Sequence, residues 1–222
     1  AAIKECFQRN GRVFLGGCGA TGRLAICLER LWRESFIDQS KQETVYSFIA
    51  GGDVAFVHAI EGFEDYPQYG AHQLEDLGFS SNDLFIGITE GGETPFVIGA
   101  TQRAAEISDF PVFFLFSNPR DLLEGLVERS KEILHNPKVL GMDFSTGPMA
   151  LAGSTRMQSS TVLMLVAGWA LFAAAGSLEE PEFEPYVMQL RSSVERLKPS
   201  TLAKFATWEA EVYQNGDQTL YL

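Results

Sequence analysis

Three loops in this sequence pair hydroxyl side chains with glycines where a helix is about to start. They are Gly17-Cys18-Gly19-Ala20-Thr21-Gly22, Thr89-Glu90-Gly91-Gly92-Glu93-Thr94-Pro95 and Gly153-Ser154-Thr155-Arg156. A helix start leaves backbone N–H groups unpaired and carries the positive end of the helix dipole, so such loops suit an anion. Thr21 places a hydroxyl at one such start, where it can cap the helix, bind phosphate, or do both. In the second loop Thr94-Pro95 is a helix start, with a hydroxyl N-cap and proline at the first helical position. The third loop adds the Arg156 guanidinium, which suits phosphate or carboxylate. An arginine in a first turn opposes the helix dipole, and a nearby anion would account for it.

A fourth loop, Glu61-Gly62-Phe63-Glu64-Asp65, holds three carboxylates in five residues. It could include a general base, or be a solvated acidic turn. Glu90 and Glu93 sit awkwardly beside a phosphate. They could bind sugar hydroxyls or face solvent, and solvent is expected for Glu93. The Cys18 thiol lies where a helix start can lower a thiol pKa. No histidine is placed to activate it, so a small packed side chain is expected.

The first loop also matches G-x-G-x-x-G between a strand and a helix, the dinucleotide fingerprint. That reading wants an acidic residue about 20 residues further on. Asp53, at the end of the second strand, comes later than that, which weakens the dinucleotide reading without removing it. A tight turn needing glycine for steric reasons alone is the other alternative. Three glycines at the mouth of a parallel sheet favour an anion site.

The elements that must position these loops alternate between strand and helix. Val13-Phe14-Leu15, Thr44 to Ile49, Leu84 to Ile88 and Val112 to Phe116 are nearly continuous apolar runs, as expected of strands covered on both faces. Glu132 to Leu134 is a weaker fifth. Leu24, Cys27, Leu28, Leu31 and Trp32 follow a helical period, which predicts a core face that includes Leu31. Glu29, four residues before Arg33, reads as a surface ion pair. Repeated β-α-β units predict an α/β fold with a parallel sheet between helix layers, its ligand beyond the carboxyl ends of the strands. Met157 to Ala175 reads as a buried helix, its apolar run too short to span a bilayer. Beyond it, Leu178 to Pro185 is acidic and contains proline. Tyr186, Leu190, Val194 and Leu197 then mark one amphipathic helix, and Leu202, Phe205, Trp208 and Val212 another after Pro199. The expected organisation is a domain over residues 1–176 and a helical connector over 177–222 leading to a missing second half. Thr219-Leu220-Tyr221-Leu222 reads as a strand cut off as it starts.

Composition narrows the function classes. Among 222 residues, 17 basic against 29 acidic side chains give a formal net charge of −12, which repels nucleic acid. The three cysteines, without C-x-x-C spacing, and the three scattered histidines point to no disulfide framework and no metal site. A cytoplasmic protein with no cofactor and no membrane partner is expected.

Several segments together resemble one family. GGCGATGR at Gly16–Arg23, IAGGD at Ile49–Asp53, EGFED at Glu61–Asp65, GITEGGETPFV at Gly87–Val97, Asn118-Pro119 and GSTRM at Gly153–Met157 are similar, in order, to the SIS (sugar isomerase) domains of the N-acetylmuramic acid 6-phosphate etherases and the glucokinase regulatory protein. The resemblance implies a three-layer αβα sandwich with a five-stranded parallel sheet, extended here by C-terminal helices. It implies a phosphosugar held by Gly19, Ala20, Thr21, Glu64, Thr89, Glu90, Gly91, Ser154 and Arg156. It also implies a second SIS unit, in the same chain or in a homodimer partner, and a sugar kinase as a further possible partner.

Within the group, Glu64's counterpart in the etherases removes the sugar C2 proton, whereas in the regulatory protein a carboxylate there contacts the sugar. The etherase acid that protonates the leaving lactyl oxygen falls at Leu31. One hydroxyl of the family's first loop is replaced by Ala20. Etherases have serine at Gly91 and a basic residue at Glu93, and a lysine stands at Gln158 in both relatives. These departures favour a regulatory, non-catalytic sugar-phosphate-binding domain. The alternative is a phosphosugar isomerase, or a carbon–oxygen lyase acting on an amino-sugar phosphate, with Glu64 as base.

Overall fold

The structure, a computed structural model, describes residues 1–36, 38–58, 60–176 and 182–219, apart from the side chain of residue 56. In chain order the elements are α1 (Ala2–Gln8), β1 (Val13–Gly17), α2 (Gly19–Ser35), α3 (Gln39–Gln42), β2 (Val45–Ile49) and α4 (Gly52–Val57). A 3-10 turn (Phe63–Asp65) precedes α5 (Pro67–Asp76), β3 (Leu84–Ile88), α6 (Pro95–Ile107), β4 (Val112–Phe116), α7 (Arg120–Leu126), α8 (Glu128–Leu134), β5 (Val139–Asp143) and α9 (Gln158–Ala174). Two helices follow, α10 (Phe183–Glu195) and α11 (Pro199–Gln214).

All five strands are parallel, in the order β2-β1-β3-β4-β5. Successive strand residues face opposite sides, and the sequence loads the two sides differently. Phe14, Phe48, Phe85, Phe114 and Phe116 fill one face, packed with Leu74 of α5, Phe96 and Ala100 of α6, Leu123 of α7 and Ile133 of α8. Val13, Leu15, Leu84, Ile86 and Ile88 fill the other, against Ile3 and Cys6 of α1, Leu24, Leu28 and Trp32 of α2, and Leu163, Ala167 and Leu171 of α9. The result is the expected three-layer αβα sandwich. Gly16 makes room for the aromatic side, because a Cβ there would lie 2.7 Å from the rings of Phe48 and Phe85.

Two expectations are corrected. Glu132 to Leu134 belongs to α8, and the fifth strand is Val139–Asp143. Ser130, Ile133 and Leu134 are buried at helical spacing on one face of α8, so Ile133-Leu134 is a helix stripe rather than a strand. On α2 the buried stripe is Thr21, Leu24, Ala25, Leu28 and Trp32, while Leu31 is 45% exposed and Cys27 is exposed. At 3.6 residues per turn Leu31 lies one step off the stripe that Leu28 and Trp32 define.

The chain forms two compact units, Ala1–Ser177 and Leu178–Leu222. The second contains α10 and α11, none of whose residues is buried. Met188, Val194, Phe205 and Trp208 are exposed there, and the rings of Phe205 and Trp208 meet edge to face at 5.5 Å. The expected strand at Thr219 to Leu222 falls mostly outside the described residues, as does the first half of the acidic stretch from Leu178 to Pro185. No helix among the described residues is long and apolar enough to cross a membrane.

Candidate functional site

The strand order reverses between β1 and β3. At such a switch point the loops leaving two neighbouring strands diverge and open a crevice beyond their carboxyl ends. The β1 and β3 loops are the two Gly-rich loops, and the pairing of Gly17 with Ile88 sets them side by side.

The β1 loop is shaped by contact as well as by conformation. Gly19 has φ +52° and open space around it. A Cβ on Gly17 would lie 2.6 Å from the backbone of Thr21 and Gly22, and one on Gly22 would lie 2.4 Å from Ile49. The glycines therefore let α2 start directly over β1 and rest on β2. Thr21 is buried, and its hydroxyl serves the loop: it donates to the Cys18 carbonyl at 2.9 Å and accepts from the Cys18 N–H at 3.1 Å. Capping is thus what Thr21 does in this structure. The Ala20 N–H has no protein partner among the described residues and the Gly19 N–H meets the Cys18 sulfur, a weak acceptor, which leaves backbone donors available at the start of a 17-residue helix.

The β3 loop is held from outside. Asn118 Nδ2 donates to the Gly91 carbonyl at 3.1 Å, Ser130 Oγ to the Gly92 carbonyl at 2.8 Å, and Arg129 Nε to the Glu93 carbonyl at 2.7 Å. In a trans peptide the N–H points away from the preceding carbonyl. Tying these carbonyls to one side therefore turns the next N–H groups to the other. The Gly92 N–H reaches Thr89 Oγ1 at 3.3 Å, and Thr89 and Thr94 share a hydroxyl contact at 3.0 Å. Gly92 must be glycine: φ is +79°, and a Cβ would lie 2.5 Å from Leu123. Gly91 need not be, since a Cβ there meets Glu93 Cγ only at 3.5 Å. Glu93, expected in solvent, is half-exposed and pairs with Arg129.

Glu64 lies in the 3-10 turn, and the neighbouring Phe63 ring stacks on Tyr69 at 4.5 Å. Cys18, Gly19, Arg23, Ile49, Ala50, Glu61 and Glu64 line one cavity of about 90 Å3. The acidic turn and the β1 loop therefore face each other. Burial, then the charges of Glu64, Asp65 and Glu61, push the Cys18 thiol up to about 12. It is a packed, protonated side chain and no nucleophile.

Glu90, for which sugar hydroxyls and solvent were the alternatives, has a carboxylate that accepts from Thr155 Oγ1 at 2.6 Å and from Ser160 Oγ. This brings the Gly153 to Arg156 loop to the β3 loop. The Ser154 N–H donates to the Leu151 carbonyl at 3.0 Å, and the Arg156 side chain is exposed. Glu29 is also more than the expected surface partner of Arg33. It accepts from Arg33 Nε at 2.9 Å, and its second oxygen takes the Ser47 N–H at 2.7 Å and the Ser47 hydroxyl, clipping α2 to β2. Ser130, Asn118, Arg129 and Ser160 were not anticipated. Only Asn118-Pro119 had left a trace, as a family segment.

Residues 1–105 match the family described as glucokinase regulatory protein N-terminal SIS domain. The chain is 33% identical over 195 residues to the N-acetylmuramic acid 6-phosphate etherase of Salinibacter ruber, covering 88% of this chain and 58% of that protein. It is 35% identical over 164 residues to the etherase of Rhodopirellula baltica, covering 74% and 50%. The chain thus spans about half the length of the curated relatives it matches. A phosphoheptose isomerase from Francisella tularensis is similar at 18% identity, over 73% of this chain and 77% of that one, with a TM-score of 0.49.

Proposed function

Because the chain carries an SIS domain of the group that holds the N-acetylmuramic acid 6-phosphate etherases and the glucokinase regulatory protein, we propose that it binds a phosphosugar in the crevice between the β1 and β3 loops. The observation that carries this reading is the side-by-side exit of the two Gly-rich loops at the switch point, with the cavity that the β1 loop shares with Glu61 and Glu64 adjoining it on the β2 side. One wall offers backbone N–H groups at a helix start, where a phosphate is stabilised. The other offers carboxylates, which repel phosphate but accept hydrogen bonds from sugar hydroxyls. A ligand with an anionic end and a hydroxylated body fits that polarity in one orientation.

Of the two finer readings, the lyase has the closer named relatives, since the matched proteins are etherases at 33% and 35% identity. Here Glu64 is the base that takes a sugar proton, and an acid from outside this chain's α2 protonates the leaving oxygen. The binding-only, regulatory reading rests on a specific observation. Leu31 stands where the resemblance puts the etherase acid, and it is exposed rather than buried, so that place on α2 holds an open apolar side chain and no proton donor. A second SIS unit, in the same protein or in a partner copy, adds groups to a phosphate site that this chain already forms in either reading, and a sugar kinase partner belongs to the regulatory one. Release of lactate from N-acetylmuramic acid 6-phosphate, lost in Glu64→Gln, supports the lyase. Saturable phosphosugar binding without turnover supports the regulator.

A further inference from the structure

We infer that Glu90 is a positioning residue that holds the 153–160 segment, and Arg156 with it, against the β3 loop, so that this carboxylate aids anion binding there. The inference rests on the phosphosugar reading and deepens it.

A carboxylate at the mouth of an anion loop should oppose a phosphate by simple charge repulsion. The hydrogen bonds around Glu90 give it a different task. Its backbone is anchored to the sheet, where its carbonyl accepts from the Ser117 N–H at 3.0 Å. Its Oε2 accepts from Thr155 Oγ1 at 2.6 Å and its Oε1 from Ser160 Oγ. Both oxygens therefore face protein hydroxyls, 65 and 70 residues away in sequence. Those two residues bracket Arg156. Thr155 precedes it directly, and Ser160 lies in the first turn of α9. Glu90 thus fixes the segment at a point on each side of the arginine. Arg156 itself has no side-chain partner among the described residues, although its neighbours on both sides are tied down. A guanidinium with no protein partner, on a segment tied down at both sides, is suited to an incoming anion.

The test is titration with N-acetylmuramic acid 6-phosphate of the unaltered chain and of Glu90→Ala, Glu90→Gln, Arg156→Ala and the Glu90→Ala/Arg156→Ala double variant. Trypsin cleavage after Arg156 is followed in parallel. Glu90→Ala is expected to weaken binding about tenfold, the size of one charge-assisted hydrogen bond, and to speed cleavage after Arg156. Glu90→Gln retains both contacts, because an amide can accept from one hydroxyl and donate to the other. It should bind as the unaltered chain does and resist trypsin equally. In the Arg156→Ala background, Glu90→Ala should add nothing to the loss. Tighter binding by Glu90→Ala, or losses from the two residues that simply add, would overturn the inference and leave the phosphosugar reading standing. Absence of binding by the unaltered chain overturns that reading and the anion-binding role of Glu90 with it. Unchanged cleavage in Glu90→Ala would overturn the positioning role on its own.

Discussion

Thr21 Oγ1 both donates to the Cys18 carbonyl, at 2.9 Å, and accepts from the Cys18 N–H, at 3.1 Å, so the hydroxyl closes the first turn of α2 on its own loop. Its one O–H donor, the group a phosphate would need, is used within the protein. Thr21→Ala should therefore cost about 1 kcal/mol, seen as a fall of about 2–4 °C in Tm, while phosphosugar affinity falls only a few fold. Thermal unfolding and titration of the same sample check this. A large loss of affinity with no loss of Tm would mean that the hydroxyl leaves its cap to hold the ligand.

Two glycines beside the site differ in what they tolerate. Gly22→Ala places a Cβ 2.4 Å from the buried Ile49 side chain, and overpacking of this kind costs about 1–3 kcal/mol. Gly91→Ser meets no atom closer than 3.5 Å and supplies the hydroxyl that the etherases have at this place. The first variant should lower Tm; the second should leave it unchanged and tighten phosphosugar binding. Chemical denaturation of both variants, with titration of the second, separates the two outcomes.

At the opposite end of the sheet, Asp83 accepts from Arg12 N–H at 2.8 Å, Arg12 Nε at 3.1 Å, Arg12 Nη2 at 2.7 Å and the Ser80 N–H and hydroxyl, with only 2% of its surface exposed. Burial alone would push its carboxyl up, but the hydrogen bonds from Arg12 and Ser80 outweigh it and hold it below the ordinary value of 3.8. A depressed carboxylate stabilises the fold above its unfolded pKa, and that contribution is lost as pH falls through the folded pKa. Stability from Asp83 should thus be complete near neutral pH and fade as pH drops below about 3.8. Asp83→Asn should cost about 3 kcal/mol at pH 7, with the difference from the unaltered chain shrinking in acid. Denaturation followed from pH 7 to pH 2 reads this directly.

Glu64 separates chemistry from binding. In the lyase reading, Glu64→Gln should reduce lactate release by roughly 10²-fold or more, the usual worth of a general base. Binding of the same sugar should change only a few fold, because the amide still meets a hydroxyl. Equal turnover by both forms would remove Glu64 from the chemistry.

How much of this was legible before the structure depended on where each residue's partners lie in the chain. Strands β1 to β4 could be read because burial on both faces writes a continuous apolar run. β5 could not, because Leu140 and Met142 are exposed and Gly141 and Asp143 interrupt the pattern, while Ile133-Leu134 nearby is apolar for the sake of a helix. Leu31 was misplaced for a related reason. Its apolar type fits a helical period, but only the packing of α2 on β1 and α9 says which stripe is buried. The Gly-rich loops announced themselves, since tight turns and positive φ leave a residue-type signature. The hydrogen bonds of Glu90 left none, because its hydroxyl partners are 65 and 70 residues away in sequence. The carbonyl ties from Asn118, Arg129 and Ser130 were hidden in the same way.

The central claim is that the phosphate of a sugar is what the β1 and β3 loops hold. Isothermal titration of this chain with N-acetylmuramic acid 6-phosphate, and in parallel with N-acetylmuramic acid, tests it most directly. Saturable binding of the phosphorylated sugar, with the unphosphorylated one binding at least about tenfold more weakly, is the predicted result. Equal binding of the two, or no binding of the phosphorylated sugar, would contradict the account.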